Sequence, residues 1–101
     1  MVFTEAGQTI KIAKDTMVEI ELGGKRIVVS NLNGTFSAIG ARCTHMGCNL
    51  SNGKMEGERV ICPCHGSIFD LKTGQVIRGP ARVPEPSFVV KVENGKLMID
   101  V

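Results

Sequence analysis

All four cysteines and both histidines of this chain fall within residues 43–67, which read CTHMGCNLSNGKMEGERVICPCHGS. They form two groups, one near the start of the stretch and one near its end. Thiolate and imidazole side chains gathered in two short segments are typical of a metal site. This stretch therefore predicts a fold organised around two loops that together hold a metal.

The order of the candidate ligands distinguishes two kinds of metal site. A zinc finger usually supplies two Cys from one half and two His from the other. Here each half supplies one Cys and one His, as C-x-H and then as C-x-x-H. Two such halves can hold an iron–sulfur centre in which one iron is bound by Cys and the other by His. The order favours that centre, with a structural zinc module and a disulfide scaffold with spectator histidines as alternatives.

The motif CTHxGC…CPCHGS resembles the Rieske family, and the resemblance extends at motif level from about residue 43 to residue 81. It implies one [2Fe–2S] cluster per chain. By this resemblance Cys43 and Cys62 bind one iron, and His45 and His65 bind the other.

The two remaining cysteines also have a place in the resemblance. Cys48 and Cys64 match the disulfide that joins the two loops in the high-potential branch of the family. The motif looks like that branch, which includes soluble archaeal or thermophilic proteins, and unlike the ring-dioxygenase ferredoxins, which lack the extra pair. Disulfides are rare in a reducing cytosol, so a bonded pair favours a thermophilic source; two unbonded buried thiols are the alternative.

Other residues around the motif take roles from the same resemblance. Ser67 matches a serine whose hydroxyl donates to a bridging sulfide. Phe69 stands where the highest-potential members carry a tyrosine that bonds a ligand sulfur, so we expect a potential between the dioxygenase ferredoxins and the quinol-oxidising subunits. Ordinary core packing is an equally good reading of Phe69.

The glycines and the exposed tip complete the expected surroundings of the cluster. Gly47 and Gly66 follow ligands closely and are expected to turn backbone amides toward the sulfurs, although plain turn glycines would look the same.

Pro80 lies at the start of a loop that covers the cluster in the family. Met46 is expected at an exposed docking tip. Three arginines near the motif form a candidate basic rim for an acidic partner, although solvated charges with no partner would look the same: Arg42, Arg78 and Arg82.

Hydrophobic periodicity predicts an all-β fold. Val18, Ile20 and Leu22 alternate with glutamates, as in a half-buried strand. Turn signals follow at residues 23–24, 33–34 and 94–95, and each predicts a hairpin. Further strands are predicted over residues 3–6, 9–12, 25–32, 35–39, 54–55, 59–61, 87–92 and 96–101, with Phe36 in the core. Residues 79–86 hold three of the four prolines and predict a stiff extended loop.

These elements predict one Rieske-like domain over residues 1–101. Its base is expected to be an antiparallel β-sandwich or barrel formed by residues 1–40 and 81–101. Residues 41–80 are expected to form a small inserted lobe that binds the cluster. A length of 101 residues suits one domain.

Composition excludes several function classes. A net charge of +2, with no basic run, gives no reason to expect nucleic acid binding. No apolar run reaches the length of a membrane span and no signal peptide is present, so we expect a soluble, cytoplasmic monomer. Both histidines are used as ligands and no nucleophile–base pair stands elsewhere, so the chain is not expected to be an enzyme by itself.

The sequence thus predicts a soluble one-electron carrier, a Rieske-type ferredoxin. Its expected partners are redox proteins: a reductase, an oxygenase or a cytochrome. The alternative is a dissociable redox subunit of an oxygenase or of a quinol-oxidising complex.

Overall fold

A computed structural model of the chain describes residues 3–8, 12–43, 47–64 and 66–100. These residues form eleven strands, every pairing is antiparallel, and one 3₁₀ turn covers Leu50–Asn52. The predicted all-β fold is confirmed. The strands are β1 Phe3–Gln8, β2 Thr16–Leu22, β3 Lys25–Leu32, β4 Thr35–Gly40, β5 Lys54–Glu56, β6 Arg59–Ile61, β7 Ile68–Asp70, β8 Val76–Arg78, β9 Ser87–Phe88, β10 Val90–Glu93 and β11 Lys96–Asp100.

The strands assemble into three sheets. One sheet has the order β1-β11-β10, the second β2-β3-β4-β9, and the third β5-β6-β7-β8. The turn between β2 and β3 uses Gly23 and Gly24, both with positive φ, and the turn between β3 and β4 uses Asn33 and Gly34 in the same way. Positive φ at both central residues suits tight hairpins, because that backbone twist matches the twist of the strands.

Strand β3 lies between two hydrophobic cores. Ile27 and Val29 pack with Leu97 and Ile99 of the first sheet, while Val28 points into a second cluster that contains Cys43 and Cys62. Alternate residues of a strand point to opposite faces, so a strand buried on both sides separates the two cores. The second core is what connects the base to the region that carries the metal motif.

The predicted strand over residues 87–92 is wrong as a single element. Ser87 and Phe88 pair with β4, whereas residues 90–93 pair with β11 of another sheet. Val89, at the switch, is 53% exposed. A continuous apolar run has the same appearance whether it stays in one sheet or crosses to another, so the sequence pattern could not reveal the break.

Three smaller differences concern Phe36, β8 and the N-terminus. Phe36 is half-buried at the margin of a core, because it lies near the end of its hairpin. Strand β8 follows the turn after β7 and was not predicted, since three residues are too few to show a period. Of the predicted strand over residues 9–12, residues 9–11 lie outside the described part of the chain.

The third sheet, β5 to β8, lies within residues 54–78, inside the predicted lobe. The division into a base of residues 1–40 and 81–101 and a lobe of residues 41–80 stays a prediction. The core below the motif joins side chains from both parts, such as Val28 and Ile39 with Val60 and Phe69. In the described ranges no helix is long and apolar enough to cross a membrane.

Candidate metal centre

The first ligand loop, residues 43–48, is closed by two backbone hydrogen bonds. The N–H of Cys43 donates to the carbonyl of Cys48 at 2.7 Å, and the N–H of Gly47 donates back to the carbonyl of Cys43 at 2.7 Å. The second bond needs a sharp reversal of the chain. Gly47 supplies it with a φ of 73°.

The second ligand loop, residues 62–67, repeats this arrangement. The N–H of Cys62 donates to the carbonyl of Ser67 at 2.7 Å, and the N–H of Gly66 donates to the carbonyl of Cys62 at 3.2 Å. Gly66 has a φ of 78°. The motif is therefore built twice, with a cysteine opening each loop and a left-handed glycine four residues later.

The two loops stand on different stems. Below the first loop, the N–H of Leu50 donates to the carbonyl of Ala41 at 2.8 Å, and Arg42 forms an isolated bridge with Asn49. The second loop connects β6 and β7, which are the two inner strands of a four-stranded sheet. Two hairpin-like loops thus present their opening cysteines from separate supports.

The four cysteines divide into one disulfide and two residues outside it. Cys48 and Cys64 are bonded to one another across the two loops, whereas Cys43 and Cys62 form no disulfide and are each 2% exposed. The sulfurs of Cys48, Cys62 and Cys64 all lie within 4.8 Å of one another. Cys43 is outside that group of three but belongs to the same hydrophobic core as Cys62.

Ser67 lies at the end of the second loop and is fully buried. Its Oγ accepts a hydrogen bond of 3.0 Å from the backbone N–H of Ala81. Ala81 follows the cis peptide Gly79–Pro80, and Pro80 itself is exposed. The start of the proline-rich segment is therefore fastened to the second ligand loop. The donation from Ser67 to a bridging sulfide stays a prediction.

Phe69 belongs to β7 and is fully buried in the core that contains Cys43 and Cys62. The core-packing interpretation of this side chain is confirmed. Its influence on a reduction potential stays a prediction.

The three arginines of the predicted rim are exposed. Arg42 reaches the first loop, where its Nη1 lies 3.5 Å from the carbonyl oxygen of Gly47. Arg78 ends β8, and Arg82 follows Ala81 in the proline-rich segment. Arg42 thus adjoins the first loop along the chain, whereas Arg78 and Arg82 lie well beyond residue 67, where the second loop ends.

Three predicted site residues lie outside the described residues: His45, His65 and Met46. Their roles stay predictions.

Sequence reasoning missed two contacts that support the loops. Glu19 of β2 accepts a hydrogen bond from Ser51 Oγ at 3.0 Å, which ties the base to the 3₁₀ turn after the first loop. The backbone of Ala81 holds Ser67, as described above. Neither contact has a local signal, because each joins residues that are distant in sequence.

The donor set fits an iron–sulfur cluster. Two buried cysteines stand in one apolar core, each at the start of a tightly closed loop. Cysteine thiolates are the usual protein ligands of iron–sulfur clusters. Gly47 and Gly66 have nothing within 4 Å of where a Cβ would stand, which leaves room on that side of each loop.

Comparison with known proteins identifies the family. The model of the Rieske [2Fe-2S] domain matches residues 3–96. The ferredoxin component of biphenyl 2,3-dioxygenase from Rhodococcus jostii is 34% identical over 101 residues, covering 100% of this chain and 94% of that protein. The cytochrome b6-f complex iron-sulfur subunit of Chlorobaculum tepidum is 34% identical over 76 residues, or 75% of this chain.

The extent of these matches differs. This chain spans 41% of the Chlorobaculum subunit and 14% of some longer relatives. Among solved structures, a complex of reduced oxygenase and oxidised ferredoxin in carbazole 1,9a-dioxygenase contains a chain that superposes with a TM-score of 0.90 at 26% identity, covering 97% of this chain and 92% of that one. The chain belongs to the Rieske [2Fe-2S] family, whose cofactor is one [2Fe–2S] cluster per domain.

Proposed function

We propose that this chain is a one-electron carrier whose cluster is held by Cys43 and Cys62 on one iron and by His45 and His65 on the other. The observation that carries the proposal is the pair of buried cysteines that stand outside the disulfide, each opening a loop with the same two backbone hydrogen bonds. A cluster that is bound by both loops needs one such cysteine in each of them. The histidine assignment rests on the motif.

The bound cluster would supply reversible one-electron chemistry, and the protein residues would set the conditions for it. Two ferric ions, two sulfides and two thiolates sum to zero charge, whereas four thiolates would give minus two. A neutral centre accepts an electron more readily than a negatively charged one. The electrostatic difference is larger where water is excluded and the dielectric constant is low. Burial of Cys43 and Cys62 to 2% exposure provides that environment.

The two ligand loops would also limit reorganisation. Backbone hydrogen bonds of 2.7 Å at the entrance of each loop, with a disulfide between the loops, favour one geometry for both oxidation states. Electron transfer is faster when the centre and its ligands move little, and supporting contacts around the ligands serve that end. In this role the chain carries electrons and is not an enzyme by itself.

The proposed partners are a reductase that donates the electron and an oxygenase that accepts it. Support comes from the match over nearly the full length of a dioxygenase ferredoxin component and from the likeness to the carbazole 1,9a-dioxygenase complex. We propose that the carrier works as a soluble monomer in the cytoplasm. Elution of the purified protein as a dimer in size-exclusion chromatography would contradict the monomer.

A second candidate is a redox subunit of a quinol-oxidising complex. The disulfide between Cys48 and Cys64 and the 34% identity to the cytochrome b6-f subunit favour it. The ferredoxin proposal has the stronger support, because that match extends over the whole of this chain. Oxidation of a quinol by the purified, oxidised protein in stoichiometric amounts would favour the second candidate.

Electron paramagnetic resonance of the dithionite-reduced protein tests the proposal. We expect a rhombic signal with a low average g-value, as mixed His and Cys ligation produces, together with two irons per chain by metal analysis. Cys43→Ser and Cys62→Ser should each abolish the signal and the red-brown colour. A colourless protein that contains zinc would overturn the proposal and leave a structural zinc module.

A further inference from the structure

The backbone amide of Ala81 contacts the second ligand loop although its side chain carries no chemistry. Ala81 is 3% exposed, and its N–H donates to the Oγ of Ser67 at 3.0 Å. Ser67 is fully buried and lies in the second ligand loop, where its own carbonyl accepts from Cys62. Ala81 is therefore hydrogen-bonded to Ser67, which is in turn hydrogen-bonded to Cys62, a proposed cluster ligand.

The direction of this hydrogen bond decides what Ser67 can do. A serine hydroxyl has one proton and can also accept hydrogen bonds. Because the oxygen of Ser67 accepts from Ala81, its proton is left to donate elsewhere. A hydroxyl that accepts a hydrogen bond also becomes a stronger donor, since chained hydrogen bonds polarise one another.

The segment that carries Ala81 is fixed independently of Ser67. At its far end the N–H of Glu85 donates to the carbonyl of Gly74 at 2.7 Å, and the N–H of Gly40 donates to the carbonyl of Pro86 at 2.9 Å. A Cβ on Gly40 would stand 2.7 Å from Glu85 Oε1, so the segment packs closely on β4. The segment that carries Ala81 is therefore anchored at its far end to Gly74 and to β4.

We propose that the Ala81 N–H is a positioning group that fixes the Ser67 hydroxyl with its proton directed into the space between the two ligand loops, and thereby raises the reduction potential of the cluster. The inference rests on the proposed function. A proton donated to the cluster stabilises the reduced form, which carries one more negative charge, and the backbone amide holds the donor in place. Ala81 itself does not touch the cluster.

Three variants test the proposal by redox titration: Ala81→Pro, which removes the N–H; Ser67→Ala, which removes the hydroxyl; and the double variant. We expect Ala81→Pro to lower the potential and Ser67→Ala to lower it further. The double variant should match Ser67→Ala alone, because the two residues act through one donor. Ala81→Gly keeps the N–H and should leave the potential near that of the original protein.

Two results would overturn the inference. One is an unchanged potential in Ala81→Pro, and the other is a double variant whose shift equals the sum of the two single shifts. The electron paramagnetic resonance signal of each variant separates this test from that of the proposed function. An intact signal with an unmoved potential refutes only the positioning role, whereas loss of the signal in the unmutated protein refutes the carrier itself.

Amide hydrogen exchange provides a second measurement in case Ala81→Pro does not fold. In Ser67→Ala the amide of Ala81 loses its acceptor, and we expect its exchange to be about tenfold faster. Ser67→Thr keeps a hydroxyl and should retain the protection. A proteolytic peptide over residues 79–83 contains Pro80, which has no N–H. It therefore carries few exchanging amides, and the exchange of the Ala81 amide is easy to resolve in it. Unchanged exchange in Ser67→Ala would refute the positioning role.

Discussion

The two ligand loops close with the same pair of backbone hydrogen bonds, but they are supported differently. The second loop extends from β6 and β7, inner strands of a four-stranded sheet. The first extends from a short stem in which Arg42 bridges Asn49 and the N–H of Leu50 donates to the carbonyl of Ala41. Its further attachments are the disulfide from Cys48, which it shares with the second loop, and a contact through Ser51 to Glu19. One loop therefore takes its geometry from a sheet, and the other takes it from cross-links.

This difference teaches which parts of the centre are robust. A loop on a sheet keeps its shape as long as the sheet is folded. A loop on a short stem keeps its shape only while its disulfide and its few hydrogen bonds to the rest of the protein remain. Removal of these contacts should thus affect the first loop more than the second, and that asymmetry can be measured.

Removal of the disulfide should have the largest effect. The bond joins residues separated by 16 positions, and closing a loop of that size stabilises a fold by roughly 3 kcal/mol. In the double variant Cys48→Ser with Cys64→Ser we expect a loss of about that size in denaturant unfolding. Hydrogen exchange should increase at Cys43 and Leu50 more than at Val60 and Phe69. Equal increases at both loops would contradict the asymmetry.

Substitution of the two turn glycines should have the next largest effect. Gly47→Ala and Gly66→Ala each force a Cβ into the left-handed region, at a cost of about 1–2 kcal/mol. No atom lies within 4 Å of either Cβ position, so the cost comes from the backbone alone. The free energies of unfolding should therefore fall by similar amounts.

Asparagine tolerates positive φ better than alanine, so Gly47→Asn and Gly66→Asn should lose less stability than the alanine variants. A much larger loss at Gly66 than at Gly47 would show that the sheet below the second loop resists distortion more strongly than the short stem does.

The hydrogen bond between Ser51 and Glu19 should contribute about 1 kcal/mol to the free energy of unfolding. Burial raises the pKa of this carboxyl, but hydrogen bonds from Ser51 and Arg26 and the charge of Arg26 outweigh it and bring the pKa below its ordinary value of 4.5. A lowered folded pKa stabilises the protein above pH 4.5, and this contribution is lost as the pH falls through the folded value.

Glu19→Gln should therefore destabilise the protein at pH 7 and make little difference near pH 3, as measured by denaturant unfolding at both pH values. Ser51→Ala separates the tie to the first loop from the ion pair with Arg26. If Ser51→Ala has no effect on exchange at Leu50, the contact does not support that loop.

Phe69→Tyr addresses the second loop and the potential. The phenol oxygen would enter a fully buried position in the core of Cys43 and Cys62. If it donates to a ligand sulfur, the potential rises, and we expect this result in a redox titration. A hydroxyl left without a partner would instead cost about 1–3 kcal/mol of stability with the potential unchanged or lowered, which would contradict the expected role.

The charge at the first loop should have the smallest effect. Exposed Arg42 lies against the Gly47 carbonyl, so it attracts anions to that side. Arg42→Gln should slow oxidation of the reduced protein by ferricyanide, an anion, and speed oxidation by tris(phenanthroline)cobalt(III), a cation. The difference should shrink at high salt. Equal rates in both proteins would count against a basic rim.

Much of the fold could be predicted from sequence because its signals are local. The Gly23 and Gly24 turn and the alternation in β2 fixed the first hairpin, and β3 was predicted with its observed bounds. The break at Val89 could not be predicted, because changing sheets depends on partners that are distant along the chain.

The candidate site, like the fold, could be predicted from the sequence only in part. The motif indicated which side chains matter, and the comparisons identify the family that shares it. The contacts from Ala81 to Ser67 and from Ser51 to Glu19 had no signal in the sequence. A backbone amide carries no residue identity, and a serine and a glutamate that are distant along the chain look like ordinary surface residues.

The cysteines finally have a consequence for how this protein matures. Four cysteines allow three fully paired connectivities, and each of them would leave no thiol to bind a metal. In the structure one pair, Cys48 and Cys64, is joined, and the sulfur of Cys62 lies within 4.8 Å of both. If Cys43 and Cys62 hold the cluster as proposed, the cell has to oxidise one pair and deliver iron to the other, so the timing of these two events would determine the yield of working protein.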